Sequence, residues 1–171
     1  EPLVSVIMAA KNVENYISEA IDSVINQTYK NWELIVVDDG SNDSTLSIIN
    51  SYAKNDSRIK LIRNEKSLGQ AIARNTAVKN SHGDFLAILD ADDIAMPDRI
   101  TEQVYFLENN PNVSAIGGHA EIIDENGKFL GVKRKALNID AIRFSLLLQN
   151  QFIHSTMMIR RDVFDKFGGY D

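Results

Sequence analysis

A chain of 171 residues, 44% hydrophobic and 25% charged, has the size and composition of one globular domain, which excludes an intrinsically disordered protein. Its net charge of −6 argues against a nucleic-acid partner, because such partners are usually bound by a basic surface. The absence of cysteine excludes a disulfide framework and a thiolate metal site, and it is compatible with a cytoplasmic location. No apolar stretch approaches the ~20 residues of a membrane-spanning helix, so we expect no transmembrane segment.

The first hundred residues alternate strand-like and helix-like patterns. Apolar runs predict strands at residues 3–8, 34–37, 59–62 and 85–89. Apolar residues at helical spacing predict helices over 13–26, after Asp43 or Ser44, around 71–78 and from Pro97 onward. Continuously apolar strands separated by helices are typical of a parallel sheet that is covered on both faces. The sequence therefore predicts a Rossmann-like, doubly wound α/β fold.

The pattern changes after about residue 100. Strands are predicted at 113–116, 121–123, 129–132 and 155–159, with helices at 139–147 and 163–167. The pair Asn126-Gly127 predicts a tight turn between the second and third of these strands. No repeat or linker interrupts the chain, so we expect one domain over residues 1–171. The chain begins at Glu1 rather than Met and stops just after a Gly-Gly pair, which suggests an excised or truncated piece of a longer protein.

Acidic side chains follow two of the predicted strands. Asp38 and Asp39 end the second strand, and Asp90, Asp92 and Asp93 follow the fourth. Ligands of doubly wound sheets bind at the carboxyl ends of the strands, and carboxylates in an Asp-x-Asp on extended chain point the same way. Each motif alone is also typical of a solvated turn. Together they predict a site for Mg²⁺ or Mn²⁺ and its phosphate ligands.

Segments spread over nearly the whole chain resemble, in the same order, the family-two glycosyltransferases of GT-A fold. They are VSVIM (4–8), SVINQTY (23–29), ELIVVDDGS (33–41), ARN (73–75), GDF (83–85), LDADD (89–93), HSTMM (154–158) and FGGYD (167–171). The resemblance implies a nucleotide-sugar-binding half over about residues 1–99 and the start of an acceptor half over about 110–171.

The resemblance also implies roles for single residues. Asp39 would accept a hydrogen bond from uracil N3–H, and Asp92 would bind the metal ion that bridges the diphosphate. Asp90 would lie by the ribose or the metal, and Arg74 near the phosphates or the donor sugar. The complete set expected to bind the donor is Ala9, Lys11, Asn12, Asp39, Arg74, Asp90, Ala91 and Asp92, with Asp92 and Asp90 as metal ligands.

Two departures from the family pattern stand out. The family has proline and an aromatic residue after the first strand, where this chain has Ala9-Ala10-Lys11-Asn12. Without the aromatic ring the base lacks its usual stacking partner, and Lys11 could instead approach the diphosphate. The family also places its catalytic carboxylate shortly after the segment that matches 167–171. We therefore expect the general base beyond Asp171, and Asp171 itself is a poor candidate.

The leading hypothesis is an inverting, metal-dependent transferase. It would move a hexose or N-acetylhexosamine from a UDP-sugar to a glycan, lipid-linked or protein-linked acceptor, in the cytoplasm or peripherally at the membrane. The alternative is a donor-binding or assembly module of a larger polypeptide, and the sequence leaves homo-oligomerisation open. A dinucleotide oxidoreductase is disfavoured because Gly-x-Gly-x-x-Gly is absent. The cluster Lys133-Arg134-Lys135 would suit an anionic acceptor, a membrane surface or an ordinary solvated loop.

Overall fold

The computed structural model describes residues 1–135, 140–142 and 150–171. Its elements are, in chain order, β1 (Val4–Ala10), α1 (Ile17–Ile25), β2 (Trp32–Asp39), α2 (Thr45–Asn55), β3 (Ile59–Asn64), α3 (Gln70–Lys79), β4 (Phe85–Ile88), α4 (Arg99–Asn109), β5 (Ala115–Ile116), β6 (Ala120–Ile123), β7 (Phe129–Lys133), a 3₁₀ turn (His154–Thr156), β8 (Met158–Arg160) and α5 (Arg161–Phe167).

Six of the strands form a central sheet in the order β3-β2-β1-β4-β8-β5. The neighbours among β1 to β4 are parallel, whereas β8 runs antiparallel to both β4 and β5. Strand β2 is buried at every position, as its continuous apolar sequence predicts for a strand covered on both faces. The predicted mainly parallel, doubly wound sheet is confirmed.

Helices pack on both faces of this sheet because the strands alternate their side chains between two apolar cores. One core joins β1 and β2 to α1, α2 and α4 through residues such as Ile21, Ile49 and Leu107. The other joins the opposite face to α3 through Ala73 and Ala77. Within the described residues, no helix is long and apolar enough to cross a membrane.

Several predicted boundaries differ from those observed. Helix α1 begins at Ile17 rather than at residue 13, and α4 begins at Arg99, so Pro97 precedes the helix. The predicted strand over 155–159 is wrong in its first half, where residues 154–156 form a 3₁₀ turn and only Met158–Arg160 pairs with the sheet. The predicted helix over 139–147 lies largely outside the described residues.

Strands β6 and β7 form a separate antiparallel hairpin with a register irregularity between Ile122 and Ile123. The predicted turn at Asn126-Gly127 is confirmed, since Gly127 has a φ of 76° and the Gly127 N–H donates to the carbonyl of Asp124. Positive φ at this turn is the conformation that favours glycine.

Candidate functional site

A cleft of about 330 Å³ opens at the carboxyl ends of β1, β2 and β4. The ends of these strands meet there because the three strands are parallel neighbours. The cleft contains all of the predicted donor-binding residues except Asn12 and Arg74. Its lining is Ala9, Ala10, Lys11, Val13, Asp39, Ser67, Gly69, Gln70, Asp90, Ala91 and Asp92. A larger hollow of about 480 Å³, between α3 and α5, contains none of the predicted site residues.

Asp39 forms one wall of the cleft and holds the loop that leads into α3. Its carboxylate accepts hydrogen bonds from Asn64 Nδ2 (2.8 Å) and Ser67 Oγ (2.7 Å), and from the backbone N–H groups of Leu68 (2.9 Å) and Gly69 (3.0 Å). Burial alone would raise the pKa of Asp39, but these four hydrogen bonds outweigh it and lower the pKa to about 2. All four acceptor positions of the carboxylate are therefore engaged within the protein.

Asp38, the neighbour of Asp39, points to the opposite face of the sheet, because side chains alternate along a strand. It is fully buried, and its Oδ2 accepts only a long bond of 3.4 Å from Ser41 N–H. Its Oδ1 has no hydrogen-bond partner among the described residues. Of the two adjacent aspartates, only Asp39 belongs to the cleft.

Asn12 joins the loop after β1 to the loop after β2. It is the one non-glycine residue of the described chain with positive φ, 52°, a conformation that asparagine tolerates better than most residues. Its Oδ1 accepts from Asn42 N–H (2.9 Å), and its own N–H donates to Ser41 Oγ (3.1 Å). Asn12 is thus not among the residues that line the cleft, and its contacts with Ser41 and Asn42 fix the loop that carries Lys11.

Asp90, the first residue of the Asp-x-Asp, is paired with a cation. Arg74 Nη2 of α3 lies 2.6 Å from Asp90 Oδ1, and His154 Nδ1 lies 3.7 Å from the same oxygen. Backbone N–H of Asp90 donates to Ser155 Oγ (3.0 Å). Burial would raise the pKa of Asp90, but the nearby His154, Arg74 and Ser155 side chains and the positive charge of Arg74 hold it well below its usual range. Asp90 is therefore ionised at any working pH.

Asp92 is exposed in the cleft and takes part in no hydrogen bond or ion pair among the described residues. Those residues contain no group of three or more His, Cys, Asp or Glu side chains that could hold a metal ion. One or two carboxylates nevertheless suffice for Mg²⁺ or Mn²⁺ when phosphate oxygens and waters complete the shell. The Asp92 carboxylate, supported by Asp90, fits such an ion.

Asp93 differs from its acidic neighbours. Burial raises its pKa, and the negative charges of Asp92 and Asp90 add to the effect, while the nearby Ser155 side chain and the charge of Arg99 oppose it. Asp93 is the acidic neighbour of the Asp-x-Asp whose pKa moves upward, but it is not among the residues that line the cleft.

The end of the chain is fastened to α3 next to the cleft. Asn75 Oδ1 accepts from Tyr170 N–H (2.8 Å), and Asn75 Nδ2 donates to the Tyr170 carbonyl (2.7 Å). Gly169 is required beside this clamp, because a Cβ there would overlap the Asn75 side chain. The Tyr170 hydroxyl lies 3.2 Å from His154 Nε2. This arrangement brings Tyr170 to the Asp90 pair, whereas Asp171 is exposed.

Sequence reasoning missed several residues that shape the site. Asn64, Ser67 and Ser155 hold Asp39 and Asp90 in place, yet none of them was predicted to belong to it. Asn64 ends β3, so the strand-end rule that selected Asp39 would also have selected Asn64. Ser155 left no such signal, because its position depends on the 3₁₀ turn.

The chain is similar to known glycosyltransferases over most of its length. The model of glycosyl transferase family 2 matches residues 5–168. An uncharacterized glycosyltransferase of Methanocaldococcus jannaschii is 38% identical over 169 residues, which is 97% of this chain and 58% of the relative. The Escherichia coli UDP-Glc:alpha-D-GlcNAc-diphosphoundecaprenol beta-1,3-glucosyltransferase WfgD is 45% identical over 139 residues, 80% of this chain and 54% of that protein. The chain thus spans little more than half the length of these relatives.

Solved structures show the same fold. The mannosyltransferase PcManGT from Pyrobaculum calidifontis, in complex with GDP-Man and Mn²⁺, has a TM-score of 0.76 at 23% identity and covers all of this chain and 48% of its own. TarS 1–349 of S. aureus, in complex with UDP, has a TM-score of 0.74 at 24% identity, over 96% of this chain and 48% of its own. At such identities the likeness concerns the fold, which is GT-A. With the family match over residues 5–168, the chain belongs to glycosyl transferase family 2.

Proposed function

We propose that this chain carries the donor site of an inverting, metal-dependent glycosyltransferase. It uses a UDP-sugar to transfer a hexose or N-acetylhexosamine to a glycan, lipid-linked or protein-linked acceptor. The observation that carries the proposal is the convergence of Asp39, Asp90 and Asp92 in one cleft of about 330 Å³. The name of the E. coli relative specifies UDP-Glc and a diphosphoundecaprenol-linked acceptor, which supports the donor and a cytoplasmic enzyme peripheral to the membrane.

Each cleft residue has a distinct role in this proposal. Asp92 is the primary metal ligand, and a bound Mn²⁺ or Mg²⁺ would stabilise the charge of the departing diphosphate. Asp90, held by Arg74, orients the ribose or completes the metal site. Lys11 lines the same cleft and adds a positive charge for the phosphates.

Recognition of uracil by Asp39 requires an exchange of hydrogen bonds. Its carboxylate already accepts from Asn64, Ser67, Leu68 and Gly69, so the N3–H of the base must displace one donor. The Ser67 hydroxyl is the easiest to displace because Ser67 is exposed and can bond to water instead. Selectivity for UDP then depends on the difference in free energy between the hydrogen bond from uracil N3–H and the one from Ser67 that it replaces.

Transfer with inversion also requires a base that deprotonates the acceptor hydroxyl as it attacks the anomeric carbon. We assign this base to a carboxylate that follows Asp171 in the full-length protein. Within the described residues, Asp93 and His154 are the side chains that would be tested first as an alternative base.

Calorimetry of UDP binding in the presence of Mn²⁺ tests the assignment of Asp92. Asp92→Asn is expected to abolish most of the Mn²⁺-dependent affinity without loss of the fold, because an exposed loop residue supports little packing. Asp98→Asn is the matched control, since Asp98 precedes α4 and makes no side-chain cap hydrogen bond. Equal Mn²⁺-dependent binding by the wild type and Asp92→Asn would refute the metal site.

A further inference from the structure

The β6–β7 hairpin exposes an apolar surface on both of its strands. Its exposed fractions are 46% for Ile122, 43% for Ile123, 56% for Phe129, 60% for Leu130 and 42% for Val132. Single exposed apolar residues are ordinary, but a contiguous group of them marks an interaction surface. An isolated two-stranded hairpin is also only marginally stable in water, so a partner that covers these side chains would stabilise it.

The root of the hairpin lies beside the donor cleft. Strand β5 is parallel to β4, because both run antiparallel to β8, so β5 ends at the sheet edge that carries Asp90. Just beyond β5, the Gly118 N–H donates to Thr156 Oγ1 (3.0 Å). Thr156 adjoins Ser155, whose Oγ accepts from Asp90 N–H (3.0 Å). A surface bound by the hairpin is therefore connected through Thr156 and Ser155 to the side of the cleft that carries Asp90.

Positive charge accompanies the apolar side chains. Residues 119–135 contain four Lys or Arg and three Asp or Glu, whereas the whole chain carries a net charge of −6. Lys128, Lys133 and Arg134 are exposed. Of the acidic residues, Asp124 is turned inward, where its Oδ1 accepts from the N–H groups of Asn126 (2.9 Å) and Lys128 (3.0 Å). Glu121 and Glu125 remain exposed.

The distribution of apolar residues over the hairpin selects the kind of partner. On β6, Ile122 and Ile123 project to opposite faces of the hairpin, because successive side chains alternate. Leu130 is the extra residue at the irregularity, so Phe129, which pairs with Ile123, and Val132, which pairs with Glu121, both lie on the face of Ile123. A folded protein surface would cover one of these faces. The boundary between lipid headgroups and acyl chains surrounds an inserted element on both faces and places anionic phosphates at the level of its lysines and arginines.

We propose that the β6–β7 hairpin docks this domain on a membrane surface that contains anionic phospholipids. Phe129, Leu130 and Val132 enter the headgroup boundary, and Lys133 and Arg134 meet lipid phosphates. This inference rests on the proposed function and narrows it. Of the three acceptor classes, a domain docked on a membrane would use the lipid-linked one.

Co-sedimentation with phosphatidylcholine vesicles, with and without phosphatidylglycerol, tests this. The wild type is expected to bind only the vesicles with phosphatidylglycerol and to release at high salt. Lys133→Gln should weaken binding about five-fold, the effect of one cation near an anionic surface. Leu130→Ser should weaken it about ten-fold or more, since an apolar side chain is lost from the contact.

Matched controls come from the surface away from the hairpin. Phe167→Ser removes an apolar side chain of α5 that is 78% exposed, and Lys54→Gln removes an exposed cation of α2. Neither should alter vesicle binding. Circular dichroism and Mn²⁺-dependent UDP binding should be unchanged in all four variants. If Leu130→Ser does not fold, Lys133→Gln still decides the question, because it changes only an exposed charge.

Three outcomes would overturn the proposal: no binding to vesicles with phosphatidylglycerol, equal loss of binding in hairpin and control variants, or a stable dimer in sedimentation velocity that Leu130→Ser dissociates. The last would make the hairpin an interface between copies of the chain. None of these measurements involves sugar transfer, so failure of the docking surface is distinguishable from failure of the transferase assignment.

Discussion

Replacing Asp39 with asparagine should destabilise the fold far more than the same change at Asp38. The Asp39 carboxylate is 3% exposed and is the common acceptor for two side-chain donors and the two backbone N–H groups before α3. An asparagine side chain keeps the shape but offers only one oxygen, and its NH₂ group faces donors. Two of the four hydrogen bonds are therefore lost.

The cost of this change follows from the donors that lose their acceptor. A hydrogen bond to a charged group contributes about 1.5–3 kcal/mol, but Ser67, Leu68 and Gly69 are exposed and regain part of this energy from water. We expect Asp39→Asn to lower the free energy of unfolding by about 2–3 kcal/mol. For a chain of this size that corresponds to a fall in Tm of about 4–12 °C.

The stability difference between the wild type and Asp39→Asn should also depend on pH. Folding lowers the pKa of Asp39 from an ordinary value of 3.8 to about 2. Its contribution to stability is therefore fully present above pH 3.8 and is lost as the pH falls through 2. The difference between wild type and Asp39→Asn should be constant near neutral pH and should shrink as the pH approaches 2.

Urea denaturation followed by the fluorescence of Trp32, the single tryptophan and 2% exposed, measures these differences. Asp38→Asn is the control, because Asp38 is buried with one oxygen unpaired among the described residues. Asparagine at this position loses at most the long 3.4 Å contact with Ser41 N–H, so the unfolding free energy should change by less than about 1 kcal/mol. The reasoning is refuted if both variants lose equal stability, or if the Asp39→Asn difference persists undiminished at pH 2.

Three further predictions concern other parts of the chain. Asp39→Ala should weaken UDP only about five-fold, because the base exchanges one hydrogen bond for another, and it should erase any preference over CDP in calorimetry. Equal binding of UDP and CDP by the wild type would contradict the assigned role. Gly169→Ala should lower the free energy of unfolding by about 1–3 kcal/mol in urea denaturation, because the new Cβ collides with Asn75. An unchanged urea midpoint would show that the hydrogen bonds between Asn75 and Tyr170 shift to make room for the methyl group. Extension by the next few dozen native residues after Asp171 should raise the rate of sugar transfer about 10²- to 10⁴-fold in a product assay, with little change in UDP affinity. Full turnover by the 171-residue chain would place the base within it.

A separate prediction concerns the opposite edge of the sheet, where Glu33 is 7% exposed. Burial alone would raise its pKa, but hydrogen bonds from Lys60, the His82 backbone and Ser5 outweigh it and lower the pKa from 4.5 to about 2. The stability from Glu33 is thus complete above pH 4.5 and is lost as the pH falls through 2. Glu33→Gln should lower the urea midpoint at pH 7 more than at pH 2. Equal losses at both would mean that the carboxylate charge contributes nothing.

The sequence alone was sufficient for the architecture and for the location of the cleft. The apolar run of β2 is short and rich in β-branched residues, which favours a strand covered on both faces, and alternation with helices favours a parallel sheet. Parallel strands bring their carboxyl ends to one edge, so Asp39, Asp90 and Asp92 had to lie near each other wherever the helices ended. These inferences use only local periodicity and chain connectivity, which neighbouring residues encode.

Tertiary structure decided the charge and hydrogen-bond state of those same residues. Asp90 is paired with Arg74 and bonded to Ser155, which lies 65 positions further along the chain. The sequence predicts a strand over 155–159, but residues 154–156 form a 3₁₀ turn, and it is this turn that carries the contact with Asp90. Asp39 is likewise saturated by a loop whose conformation no local pattern specifies. A hydrogen bond depends on tenths of an ångström between atoms that are distant in sequence, and only the packed fold sets such distances.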